Sequence, residues 1–80
     1  MHELAILRQV IKTVNNIAVS NGITQVKFIT LEVGTESTYV PLFFTKLFPA
    51  ATDSYPCLQQ AELRINSVSG KGLTIKEIGY

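Results

Sequence analysis

The hydrophobic period of this 80-residue chain is helical up to residue 21, extended from 25, helical once more, and extended to the end. Leu4, Leu7, Ile11, Val14 and Ala18 recur at three- and four-residue steps, with Val10 and Ile17 widening the stripe and Arg8, Lys12, Asn15 and Asn16 on the other side. That pattern predicts an amphipathic helix over 3–21. Glu3 falls in its first turn, where a carboxylate offsets the positive helix end. Asn21-Gly22 supplies the left-handed stop. The segment 25–33 then reads as a strand, with Ile29, Leu31 and Val33 on one face and Val26 and Phe28 on the other.

Gly34 and the polar run Thr35–Thr38 end that strand. Pro41 suits the opening turn of a second helix, where its missing N–H is not needed, and Ser37 or Thr38 would cap it. Leu42, Phe43, Leu47 and Phe48 give this helix an apolar stripe, and Pro49 is expected to end or kink it. Residues 49–58 read as a loop. Residues 60–68 alternate, with Ala61, Leu63 and Ile65 opposed to Glu62, Arg64 and Asn66; residues 73–78 alternate too. Only SGKG separates them, which predicts an antiparallel C-terminal hairpin. The expected fold is therefore α+β in two layers, in the order α-β-α-β-β. Two helices pack on a three-stranded sheet, which is mixed because the last strand must oppose the second.

Length and composition narrow the function. Eighty residues form one domain at most, and 46% hydrophobic residues with a net charge of +1 argue against disorder and against an electrostatic grip on nucleic acid or anionic membranes. Charged residues make up 16%, below the usual ~25%, which leaves apolar surface for a partner or a second copy. No apolar run reaches the ~18 residues that would cross a bilayer, and the start does not read as a secretion signal. Cys57 is the one cysteine, so no internal disulfide forms and a reduced cytoplasmic setting is expected. Its expected role is a small, half-buried apolar side chain. With one His, one Cys and scattered carboxylates, the chain has no constellation for catalysis and is not expected to be an enzyme. Gly70-Lys71-Gly72 lacks the spacing of a phosphate-binding loop and reads as a turn.

His2 is the residue that stands out. A chain start of Met1-His2-Glu3 offers four nitrogens close together: the Met1 amine, the His2 amide and imidazole, and the Glu3 amide. Nickel(II) and copper(II) accept tetragonal or planar nitrogen ligation. Free amines titrate near 7.7–8.0 and imidazole near 6.5, so such binding releases protons and weakens as pH falls. A terminal histidine that is merely solvated is the plain alternative.

The opening MHELA resembles that of the HypA/HybF family, the nickel metallochaperones of nickel–iron hydrogenase and urease maturation. The segment LEVG followed by Val40-Pro41 and a Phe-containing helix, the stretch QAELRI and the final LTIKEI are similar to successive segments of that family, in order and over nearly the whole chain. The resemblance implies a single HypA-like nickel-binding domain over 1–80. Its nickel(II) ligands would be Met1, His2 and Glu3. It would work with a HypB-type GTPase and dock on a hydrogenase large subunit or urease accessory proteins. One departure is large: family members insert a zinc ribbon with two CxxC pairs between the second and last strands, where this chain has only SVSGKG, so no structural zinc is expected. Acidic residues of the family's second helix are also replaced, by Leu42 and Pro49 among others. A chain reduced in this way could instead be a HypA-like protein-interaction module with no metal role, a second copy of itself among its partners.

Overall fold

The structure, a computed structural model, describes residues 2–80. Helix α1 spans Glu3–Ser20, strand β1 Phe28–Gly34, helix α2 Pro41–Ala51, strand β2 Glu62–Val68 and strand β3 Leu73–Gly79, with a single 3₁₀ turn at Pro56–Leu58 before β2. Element order and the two-layer α+β architecture are as the sequence predicts.

Helix α1 buries Leu7, Val10, Ile11, Val14 and Ala18, the stripe read from the periodicity, while Leu4 and Ile17 lie at its exposed margins. It ends in a Schellman motif: Gly22 takes a φ of 67°, the Ile23 N–H returns to the Ala18 carbonyl at 2.8 Å, and the Gly22 N–H to that of Val19 at 3.3 Å. Only a residue without a Cβ adopts that φ at no steric cost.

The sheet order is β2-β1-β3, with β1 parallel to β2 and antiparallel to β3. Ile29, Leu31 and Val33 of β1 are fully or almost fully buried. Their neighbours in the sheet, Leu63 and Ile65 on β2 and Ile78, Ile75 and Leu73 on β3, pack against the same core. Val26 is also buried, but in the approach to β1 rather than on its outer face; its N–H bonds the Cys57 carbonyl at 2.8 Å.

The expected C-terminal hairpin does not form. β2 and β3 run in opposite directions, yet each pairs with β1 and neither with the other. Two strands on either side of a third lie about 10 Å apart, which the four residues 69–72 can span. The short link thus arches over the end of β1 instead of turning between neighbours. It is fastened there by three bonds, from the Gly34 N–H to the Gly72 carbonyl (2.8 Å), the Thr35 N–H to that of Val68 (2.7 Å) and the Glu36 N–H to that of Gly70 (2.8 Å). A Cβ on Gly34 would meet the Gly70 carbonyl oxygen, so glycine is what lets the arch close.

Helix α2 turns a different face inward from the one expected. Phe44 and Phe48 are its buried residues, Phe43 and Leu47 are half-buried, and Leu42 is 57% exposed. Nor does Pro49 end it. The helix runs two residues further, and Thr52 closes it by donating its N–H to the Phe48 carbonyl at 3.0 Å and its Oγ1 hydroxyl to the same carbonyl at 2.9 Å. Cys57 is buried as expected of a small apolar side chain, with its Sγ 3.1 Å from Asn15 Oδ1.

Candidate metal centre at the amino terminus

Of the three residues singled out at the chain start, Met1 lies outside the described residues. His2 is exposed and occupies the N-cap position of α1, with φ −122° and ψ 7°. Its carbonyl accepts the Ile6 N–H at 3.0 Å, the first bond of the helix. A helix leaves its first N–H groups without intrahelical partners. The His2 and Glu3 amides, two of the four nitrogens in the expected ligand set, are among those groups, and both face the Glu3 carboxylate.

Glu3 lies in the first turn of α1 as the sequence predicts, and its carboxylate also reaches beyond that helix; the residue is 4% exposed. Oε2 accepts the Val40 N–H at 2.9 Å across 37 positions of sequence. Val40 is the N-cap residue of α2, so one carboxylate serves the starts of both helices. The expected caps are not used: no side chain of α2's own N-cap bonds the helix, and the Ser37 hydroxyl oxygen accepts the Tyr39 N–H instead, at 3.3 Å.

The electrostatics follow from that placement. The Val40 N–H is the main cause holding the Glu3 carboxyl below the usual carboxylate range. The N–H groups of Glu3 itself and of His2 act in the same direction, and burial opposes them. Oε1, the second oxygen, is buried with no hydrogen-bond partner among the described residues. An ionised carboxylate set against two helix starts is favourable, because both present positive potential. The amino-terminal turn is thereby pinned to α2.

Around His2 and Glu3 the surface forms a hollow of about 350 Å³, completed by Thr38, Tyr39, Val40 and Phe43. Tyr39 is steadied by Phe44, with ring centroids 5.8 Å apart and planes tilted at 59°. Sequence reasoning identified His2 and Glu3 but not Thr38–Val40 as their surroundings. The available signal was Pro41, which marks where a second helix start must be. Among the described residues no three His, Cys, Asp or Glu side chains gather where they could hold a metal ion. Among the described residues no helix is long and apolar enough to cross a membrane.

Comparison with known proteins agrees with this architecture. The solution structure of the nickel metallochaperone HypA from Helicobacter pylori superposes with a TM-score of 0.75 over 96% of this chain and 72% of that one, at 18% sequence identity, so the two share a fold. No curated protein sequence matches the chain at a significant level. Residues 1–76 match the family described as hydrogenase/urease nickel incorporation, metallochaperone, HypA. A match over that length, on a chain with the same fold and an opening MHELA, places the protein in the HypA family of nickel-incorporation metallochaperones.

Proposed function

We propose that the chain is one HypA-like nickel-binding domain, and that it carries nickel(II) on Met1, His2 and Glu3 for insertion into a nickel enzyme such as a hydrogenase. The ligands are the Met1 amine, the His2 amide and imidazole, and the Glu3 amide. The observation that carries this reading is the placement of His2 and Glu3 at the start of α1, where helix geometry leaves their amides without an intrahelical partner. Four nitrogens in a near-planar set suit nickel(II). The Glu3 carboxylate binds no metal in this scheme; bonded to the Val40 N–H, it holds the ligand-bearing turn against α2. Nickel is cargo here, so the site must also release it. The partners that fit the family's role are a HypB-type GTPase and a hydrogenase large subunit or urease accessory proteins.

The test is calorimetric titration of nickel(II) into untagged protein that begins with a free Met1 amine. It is expected to give about one nickel per chain with the yellow, diamagnetic signature of planar coordination. His2→Ala, and separately a one-residue extension ahead of Met1, should each abolish it. Absence of binding by the unmodified protein refutes the proposal. Capture of maturation proteins unaffected by His2→Ala would then leave a docking module without a metal role.

A further inference from the structure

β3 is an edge strand. It pairs with β1 on one side and, among the described residues, with nothing on the other. The bond from the Gly34 N–H turns the Gly72 carbonyl inward, so alternation turns the main-chain groups of Leu73 and Ile75 outward. The β1–β3 register then shifts: Leu31 faces Ile75 but Thr30 faces Glu77, which leaves Lys76 as an extra residue. Beyond this bulge the phase resumes, and Ile78 is the next outward residue. A groove of about 450 Å³ separates β3 from α1, lined by Ile6, Val10, Leu73 and Ile75 among others, so the helix does not seal the edge.

A bulge on an edge strand normally discourages pairing, because outward groups three positions apart cannot match a regular strand, whose outward groups are two apart. The match returns if the incoming strand has the same extra residue at the same place. One strand that does is β3 of a second copy, laid antiparallel.

We propose that the chain forms a twofold dimer through antiparallel β3–β3 pairing, with Ile75 of each copy opposite Ile78 of the other. This register aligns the two bulges and sets Lys76 opposite Glu77 twice. It also brings Leu73 opposite Tyr80, which is 72% exposed in the single chain. Lys76 and Glu77 are both exposed and, among the described residues, neither has an ion-pair partner. Charge fixes the register. A slip by one residue in one direction puts Lys76 against Lys76, and in the other Glu77 against Glu77, and like charges directly opposite are unfavourable. The interface is isologous and therefore closes at two copies.

The experiment is sedimentation equilibrium on the untagged protein from micromolar to millimolar concentration, with circular dichroism confirming that each variant is folded. A concentration-dependent dimer is expected. Lys76→Glu and Glu77→Lys each turn both cross-copy pairs into like-charge pairs and should weaken dimerisation about tenfold. The double variant K76E/E77K re-forms the pairs in reverse and should recover the original affinity to within a few-fold. A chain that stays monomeric at about 1 mM, a dimer indifferent to the single reversals, or a double variant no better than the singles would each overturn the proposal.

Discussion

Gly34→Ala tests the arch that joins β2 to β3. An alanine Cβ at this position would lie 2.6 Å from the Gly70 carbonyl carbon and 2.9 Å from the Lys71 nitrogen, and closer still to the Gly70 oxygen. Carbon atoms in contact prefer about 3.5–4.0 Å, so the link must withdraw by about 1 Å. These neighbours are main-chain atoms, which cannot swing aside as a side-chain tip can. A 1 Å withdrawal stretches the three bonds from Gly34, Thr35 and Glu36, now 2.7–2.8 Å, beyond the range where such bonds hold. At about 1 kcal/mol each their loss costs about 3 kcal/mol. Replacing glycine lowers the entropy of the unfolded chain and returns about 0.5 kcal/mol. The net destabilisation is about 2–3 kcal/mol, which for a domain of this size lowers Tm by roughly 10–20 °C. Urea titration followed by circular dichroism measures it, with Gly72→Ala as the control, since a Cβ there meets nothing within 4 Å. If Gly34→Ala unfolds within about 0.5 kcal/mol of the parent, the packing of the link on β1 is not what holds the end of the sheet.

Two further perturbations address the helices. Phe44→Ala removes a fully buried ring at the centre of the core and is expected to cost about 3–5 kcal/mol. That is a large part of the stability of an 80-residue domain, so its urea transition should broaden or vanish, whereas Leu42→Ala on the exposed side of α2 should stay within about 0.5 kcal/mol. Glu3→Gln tests the shared carboxylate through pH. Its folded-state pKa is depressed, so it contributes stability that is present above the unfolded carboxylate pKa and lost as pH falls through the lower folded value. The parent should therefore lose more stability than the glutamine variant on acidification from about pH 5 downward, read as urea midpoints at a series of pH values. Parallel acid profiles would show that Glu3 is not ionised against the two helix starts.

What could be read from the residues depended on contrast. Helix α1 sets five buried apolar positions against Arg8, Lys12 and two asparagines, and its inward face was legible except at the margins, where Leu4 and Ile17 of the expected stripe are exposed. Helix α2 places Leu42, Phe43, Phe44, Leu47 and Phe48 around its axis with only Thr45 and Lys46 for relief. Its existence was legible, but which of its rings face inward was decided by tertiary packing. The two final strands alternate at their starts but not throughout, since the bulge at Lys76 breaks the period of β3, and alternation tells which side chains share a face and nothing about which strand is the neighbour; a four-residue link serves a hairpin or a crossing of one strand. At the amino terminus, the residue types suited to planar nitrogen ligation stand in the first three letters. The bond from Val40 to Glu3 spans 37 positions, beyond the reach of any local pattern.

The central place of β1 bears on the short passage between β2 and β3, SVSGKG, where resemblance to the HypA family leads one to expect a zinc ribbon. Each outer strand hangs on the middle one by its own ladder, so the passage between them transmits no pairing from one to the other. What joins them here is the arch of residues 69–72, fastened to the end of β1, so changes in that passage bear on the end of the sheet before they reach the ladders themselves. The amino-terminal turn is anchored elsewhere, by the bond from the Val40 N–H to Glu3.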